Sequence, residues 1–336
     1  MQSCSGNIKI SGIVSAVPIN QVDNLDYIEK IESRRIKKQI LLTGINKRRV
    51  CINGQTATDL ATVAADDLLN RLKWDRKDID VVIYVTQSPE LSRPSTAFII
   101  QERLNIGINC LVFDVNLGCS GFIGGLEIMA GLLSTTKGKG LLLVGESHAL
   151  EGGDINTSSL LVGDAASAIA IEYDLSSEMI FRHYSDGSRS DYIYKPFNKP
   201  GYMDGNAVLL FGLNDVVDSV VQFKTENNLT EENVDYYVFH QAQKMIIDGI
   251  AKGVNISEGK VLISCDDYGN TSSASIPLTL CVSKQNKPIR QESNFIMCGF
   301  GIGLSWGMAY ISIDFNVIFP LIETDKVYDD REKFGI

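Results

Sequence analysis

The chain has 336 residues, of which 44% are hydrophobic and 21% charged, and its formal net charge is −10. A chain of this length buries roughly 75% of its unfolded surface, enough for two domains or one large duplicated body. The acidic balance excludes a nucleic-acid partner, which needs a basic face, and argues against binding to an anionic membrane surface.

Ile8–Val17 reads as a first strand. Leu60, Val63, Ala64, Leu68 and Leu69 recur at helical spacing and predict a helix over 58–72. DVVIYVT (80–86) is a continuous apolar run, the pattern of a strand covered on both faces. A helix over 96–104 follows Pro94 and Ser95. Next come a buried strand over 110–115, a Gly- and Leu-rich helix over 119–134 and a strand over 140–145. A turn and a long strand occupy 158–173. Strand–helix alternation of this kind gives an α/β fold with covered sheets.

The second half repeats the scheme. DYYVFHQ (235–241) parallels DVVIYVTQ (80–87), and a helix is expected after each. The apolar runs CLVFDV (110–115) and KVLISC (260–265) are both expected as strands. One leads into the turn Gly118–Cys119–Ser120, the other into Gly269–Asn270–Thr271, and each turn opens a helix. Asp80 lies 39 residues before Cys119, and Asp235 lies 35 before Asn270. This spacing points to an internal duplication with its boundary near 174–179, giving halves 1–175 and 176–336. No linker-like composition separates the halves, so they are expected to form one body.

The seven cysteines (Cys4, Cys51, Cys110, Cys119, Cys265, Cys281, Cys298) show no CxxC spacing and sit mostly in apolar runs. Neither a disulfide framework nor a metal site is expected. No cationic segment followed by an apolar one opens the sequence, and no uncharged stretch reaches the roughly 18 residues of a membrane span. The expected location is the cytoplasm.

Cys119 stands between a strand and the first turn of an apolar helix. That position favours a thiolate, through the helix dipole and its free N–H groups, and so a covalent nucleophile. A buried structural cysteine fits the same pattern. His240, between a hydrophobic strand and polar Gln241 and Gln243, reads either as an acid, base or donor to a substrate oxygen, or as a hydrogen-bonded core residue. Asn270 reads either as an oxyanion donor or as a turn residue capping the next helix. His148 and His183 show no comparable setting. The Gly-rich segment CGFGIGLSWG (298–307) lacks the phosphate-loop pattern, and its backbone N–H groups are candidates for an oxyanion hole.

Together these residues resemble β-ketoacyl-acyl-carrier-protein synthase III, a condensing enzyme of the thiolase superfamily. The resemblance runs over roughly residues 6–315. It rests on TGINKRR (43–49), RPSTAFIIQERLNI (93–106), DVNLGCSGF (114–122), VGDAASA (162–168), MDGNAVLLF (203–211), FHQAQKMI (239–246), YGNTSSASIP (268–277) and FGIGLSWG (300–307). It implies a thiolase-like duplicated five-layer αβαβα sandwich. It makes Cys119 the acylated nucleophile, with His240 and Asn270 on the thioester carbonyl oxygen of the second substrate. The backbone N–H groups of Cys119 and Ile302 would form the other oxyanion hole, although the family usually has Gly at 302. It further implies a homodimer, with the loop before Pro94 reaching the partner's acyl tunnel. No permanently bound cofactor is implied, and the substrates are thioesters of coenzyme A or of acyl-carrier-protein phosphopantetheine.

Departures from the family pattern bear on substrate choice. The usual aromatic residue before Pro-Ser is Arg93, whose charge is expected to turn to solvent, pair with an acid such as Glu90, or meet a polar substrate group. The usual adenine-stacking Trp aligns near Lys38, and the basic residue before the GD turn near Asn156. HQAN becomes HQAQ, ending at Gln243, and the usual Arg that follows falls near Met245, beside Lys244. Lys244, Lys38, Arg48 and Arg49 are the expected cations for docking an anionic carrier. The expected reaction is decarboxylative Claisen condensation. The alternatives are acyl transfer to an oxygen or nitrogen nucleophile, or a non-catalytic partner subunit.

Overall fold

The computed structural model describes residues 4–29, 34–147, 160–197, 199–286 and 291–335. Eleven strands form its two main sheets. These are β1 (Cys4–Gly6), β2 (Ile8–Pro18), β3 (Ile79–Val85), β4 (Leu111–Val115), β5 (Lys139–Glu146), β6 (Ala165–Tyr173), β7 (Met179–Ser185), β8 (Tyr236–Phe239), β9 (Glu292–Gly301), β10 (Ser305–Asp314) and β11 (Ile322–Thr324). Their orders are β11-β2-β6-β5-β3-β4 and β1-β7-β10-β9-β8. The helices used below are α1 (Arg34–Thr43), α2 (Ala57–Leu72), α3 (Thr96–Arg103), α4 (Gly121–Thr136), α5 (Lys244–Val254) and α6 (Ser275–Asn286).

Three apolar cores separate five layers. The central one buries α4 and α6 between the two sheets, with Phe122, Ile123, Leu126, Met129 and Leu133 of α4 wholly enclosed. Burial of that kind contributes about 1.5–3 kcal/mol per large side chain. A second core lies under α2 and α3 on the six-stranded sheet, and a third under α5 and Val217–Glu226 on the five-stranded sheet. This is the thiolase-like αβαβα sandwich. The sheets are mixed rather than wholly parallel, because β5 and β9 each pair an antiparallel strand on one side.

The pairing repeats strand for strand. In the first half β3 pairs β4 and β5 in parallel, and β6 joins β5 to β2 antiparallel. In the second, β8 pairs β9 in parallel and the Val261 segment through one bridge, and β10 joins β9 to β7 antiparallel. The two ends of the chain cross over: β1 pairs β7 in the second sheet, and β11 pairs β2 in the first.

Two expected strands are corrected. Residues 260–265 form no strand, only the bridge of Val261 to Tyr237. The N–H groups of Ser264 and Cys265 are taken by the Gln241 side chain at 2.9 and 3.2 Å, which turns the segment out of the ladder. Strand β4 exists but is the sheet's edge, with Leu111 half exposed, so it is not covered on both faces. Among the described residues no helix is long and apolar enough to cross a membrane.

Candidate active site

Cys119 sits in the turn between β4 and α4, two residues before the helix begins. Glycines make room for it. A Cβ on Gly301 would lie 2.8 Å from Cys119 Cβ and 3.1 Å from its Sγ, and one on Gly299 would lie 2.9 Å from the Cys119 carbonyl oxygen. Strand β9 therefore runs directly over the cysteine.

His240 follows β8 and is 2% exposed. Its N–H donates to the Cys298 carbonyl at 2.7 Å, and its ring Nδ1 is 2.9 Å from Ser275 Oγ at the start of α6. Phe300 packs edge-on against the ring at 5.4 Å. Next to it, buried Gln241 donates to the Phe239 carbonyl at 2.7 Å and accepts from Ser264 and Cys265, so the strand end carrying His240 is locked.

Asn270 donates its N–H to the Leu161 carbonyl at 2.8 Å and accepts from the Gly163 N–H at 3.0 Å. That approach requires a glycine, since a Cβ on Gly163 would lie 2.1 Å from the Tyr268 carbonyl oxygen. The Ser272 N–H donates to Asn270 Oδ1 at 2.9 Å, which leaves Nδ2 as the donor end of the amide. The Ser272 hydroxyl lies 3.7 Å from Cys119 Sγ. Cysteine, histidine and asparagine therefore meet around the 270–275 turn.

The electrostatics oppose the sequence expectation of a thiolate. Burial pushes the Cys119 thiol up to about 11; the Ser272 hydroxyl lowers it, and the Glu146 carboxylate adds to the rise. Burial also lowers His240 to about 3, against a hydrogen bond with the Ser272 backbone. At neutral pH the resting site holds a neutral thiol and a neutral imidazole. Glu146 is itself buried and accepts from the Gln87 N–H and the Ser88 hydroxyl, both at 2.8 Å.

Residues 113–187 match the family model for 3-oxoacyl-[acyl-carrier-protein] synthase III, and residues 225–313 match its C-terminal model. The chain is 33% identical over 329 residues to the β-ketoacyl-[acyl-carrier-protein] synthase III of Clostridium perfringens, covering 91% of this chain and 99% of the relative. The chain belongs to the 3-oxoacyl-[acyl-carrier-protein] synthase III family. The Neisseria gonorrhoeae member is 32% identical, covering 89% of this chain and 97% of that relative. The crystal structure of a 3-oxoacyl-(acyl-carrier protein) synthase from Burkholderia xenovorans superposes with a TM-score of 0.88 at 30% identity, over 96% of this chain and 99% of that one.

The remaining residues singled out by likeness to the synthase III family fall in different places. Ile302 lies in the turn after β9, next to Gly301, and its carbonyl accepts from the Ser305 hydroxyl at 2.8 Å. Arg93 and Pro94 are exposed in this chain. Arg93 does not take Glu90, whose carboxylate is held instead by Arg331 at 2.9 Å and Thr56 at 2.8 Å. Lys244 and Lys38 are exposed, and Lys244 pairs with Asp248 at 3.3 Å.

Arg48 and Arg49 are corrected. Both are buried and spent internally, so neither is a docking cation. Arg48 donates to Asn24 Oδ1 at 2.7 Å and to the Val162 carbonyl at 3.1 Å. Arg49 binds Glu323 at 2.6 Å and the Ile19 carbonyl at 3.0 Å. Through Val162, Arg48 braces the 161–163 segment that holds Asn270. His148 and Asn156 lie outside the described residues.

Sequence reasoning gave no role to Gln241, Ser272 and Ser275, although they lie in the segments FHQAQKMI and YGNTSSASIP, and it did not single out Glu146. It also gave His183 no setting. In the fold His183 lies beside Gly307 and Gly124 on the face of the sheet that covers α4, with its Nδ1 against the Glu127 carboxylate. A count of charges along the chain does not bring those two residues together.

Proposed function

We propose that Cys119 carries an acyl group as a thioester and condenses it with a malonyl-type thioester, with loss of carbon dioxide, to give a 3-oxoacyl product. The observation that carries this reading is the meeting of Cys119, His240 and Asn270 at one turn. In the loading step Cys119 Sγ attacks the donor carbonyl and the bond to the donor sulfur breaks. The thiol proton ends on that leaving sulfur. The backbone N–H groups of Cys119 and Ile302 make no backbone–backbone hydrogen bond among the described residues, which suits them to the developing oxyanion.

In the second step the malonyl thioester loses carbon dioxide and leaves its electron pair as an enolate. His240 is neutral and Asn270 presents Nδ2, so both hold that oxygen as hydrogen-bond donors without giving up a proton. The carbanion attacks the acyl carbon on Cys119, and the sulfur leaves. Donors and acceptors are thioesters of coenzyme A or of an acyl carrier protein, the second of which stands in the names of the relatives. Lys244 at the first turn of α5 and Lys38 on α1 serve as docking cations. The stem of Lys244 packs against the segment just after α1, where a Cβ on Gly44 would lie 2.7 Å from Lys244 Cβ. The halves 1–175 and 176–336 supply the nucleophile and the enolate donors respectively.

The active form is a homodimer. Strand β4 ends its sheet with no further strand beside it among the described residues, and Ile108 and Leu111 stand exposed there. An open edge of this kind is suited to pairing with a second copy. The reaction runs in the cytoplasm.

The test is intact-mass analysis after exposure to a panel of acyl-thioesters, followed by a malonyl-thioester. An acyl adduct mapped to Cys119, absent from Cys119→Ala and discharged as 3-oxoacyl product, supports the reading. An adduct on another cysteine sinks it.

A further inference from the structure

Ser272 reaches two residues of the proposed site directly. Its hydroxyl is 3.7 Å from Cys119 Sγ, and its N–H donates to Asn270 Oδ1 at 2.9 Å. It does so from φ +50, a left-handed backbone conformation uncommon for a residue with a side chain. The other groups close to Cys119 are glycines: Gly301 against the sulfur and Gly299 against the carbonyl. The nearby charge is the Glu146 carboxylate, which works against a sulfur anion. The His240 ring nitrogen Nδ1 faces Ser275 rather than the sulfur.

We propose that Ser272 is a further catalytic residue, whose hydroxyl donates a hydrogen bond to Cys119 Sγ whenever that sulfur carries negative charge. This rests on Cys119 being the nucleophile. The charge appears twice, when the thiol attacks the acyl donor and when the sulfur is expelled by the carbanion. In the first step the sulfur–carbon bond forms, the donor carbon–sulfur bond breaks, and the thiol proton ends on the donor sulfur. Ser272 keeps its own proton throughout. Without it, the sulfur anion would form in a half-buried setting near a carboxylate with no side-chain donor, and charge there is costly unless hydrogen-bonded. The Ser272 hydroxyl is also the side chain that lowers the Cys119 thiol against burial, ahead of the cysteine's own backbone.

Two substitutions separate the hydroxyl from the backbone. Ser272→Ala removes the hydroxyl and keeps the strained backbone. Ser272→Gly removes it and adopts φ +50 freely. Both are compared with the native protein for the pH dependence of Cys119 alkylation by iodoacetamide and for single-turnover acylation. A third measurement is decarboxylation of a malonyl-thioester by protein already alkylated on Cys119. The expected result is the same in both variants. The alkylation midpoint rises by about one pH unit and acylation at pH 7.5 slows by about tenfold, since one unit of pKa is a factor of ten. Decarboxylation stays within twofold. Native rates in Ser272→Gly overturn the proposal, because the hydroxyl is then idle. Equal losses in alkylation and decarboxylation overturn it too, since they would mark a collapsed turn. A shifted midpoint in protein that no thioester acylates supports the sulfur–hydroxyl contact and removes the condensing reading alone. If Ser272→Ala fails to fold, Ser272→Gly carries the test.

Discussion

Gly301 stands against Cys119 with no room for a side chain: a Cβ there would lie 2.8 Å from Cys119 Cβ and 3.1 Å from Sγ. Neither neighbour can yield cheaply, because β9 is hydrogen-bonded on both sides and Cys119 is fixed at the entrance to α4. Gly301→Ala should therefore displace the sulfur and its turn. The expected outcome is a folded protein whose Cys119 acylation falls by about a hundredfold, in line with the cost of misplacing a reacting group by about 1 Å. Intact-mass acylation rates alongside circular dichroism check this. Native acylation would mean that the cradle is looser than the geometry shows.

Arg48 was expected at the carrier-docking surface and is found inside. Its guanidinium ties Asn24 to the Val162 carbonyl, and the 161–163 segment in turn holds Asn270 by both backbone groups. Arg48→Met should loosen Asn270 and lower kcat by about ten- to a hundredfold, the range of a lost oxyanion contact or less. KM for the carrier donor should stay within about twofold. A raised KM at unchanged kcat would restore the docking role.

The fold was legible because its apolar runs are strong and are repeated. DVVIYVT and NFIMCG became β3 and β9, and the repeated strand–turn–helix units became the two crossovers over α4 and α6. What failed was local competition. The KVLISC run has strand composition, yet the Gln241 side chain claims the N–H groups that a ladder would need. Cys119, His240 and Asn270 were legible as positions, since each follows an apolar run at a turn. Their protonation was not. The helix start at Cys119 suggested a thiolate, but burial outweighs it, and burial depends on β9 arriving from 180 residues away. Likewise Arg48 and Arg49 look like solvent-facing charges until the partners from residues 162 and 323 are in place.

Arg331 inserts its guanidinium between two enclosed carboxylates, Asp59 at 2.5 Å and Glu90 at 2.9 Å. Those acids are 0% and 1% exposed, and Arg103 reaches them only at 3.3 and 3.8 Å. Removing one cation leaves two buried negative charges sharing the other. Arg331→Met should destabilise the protein by about 3 kcal/mol, the low end for breaking a buried pair because Arg103 remains. Glu90→Gln added to that variant should recover part of the loss, by removing one of the unbalanced charges. Urea unfolding of the three variants and the native chain reads this as a double-mutant cycle. A fully additive cycle would show that Arg331 and Glu90 are uncoupled.

Lys244 is exposed at the first turn of α5, four residues after His240, and its surface pair with Asp248 is worth little. The proposed function makes it a local centre for steering an anionic carrier in an otherwise acidic chain. Lys244→Glu should raise KM for a carrier-protein donor by about three- to tenfold and weaken its salt dependence, with kcat for a small thioester unchanged. Stability should not move by more than about 0.5 kcal/mol. An unchanged KM at low salt would count against docking at this face.

The opposed pKa shifts of His240 and Cys119 fix both ends of the pH profile. His240 falls from 6.5 to about 3 on folding, so below pH 6.5 the unfolded chain binds a proton that the folded one refuses. Its contribution to stability is complete above pH 6.5 and drains away as pH falls toward 3, with a slope approaching 1.4 kcal/mol per pH unit, about the value of one proton. Cys119 rises from 9.0 to about 11, so its contribution is complete below pH 9 and is lost as pH climbs toward 11. In urea titrations His240→Asn should flatten the native acid limb between pH 4 and 6, and Cys119→Ala should flatten the alkaline limb between pH 9 and 10.5. The same shifts govern activity. With His240 neutral from pH 5 upward, the rate should show no rising limb centred near 6.5. Alkylation of Cys119 should instead keep rising by about tenfold per pH unit to near pH 10, as expected of a thiol titrating above that range. A rising limb at 6.5 that vanishes in His240→Asn would show that the imidazole is solvated and charged, and that the enolate oxygen meets a cation rather than a neutral donor.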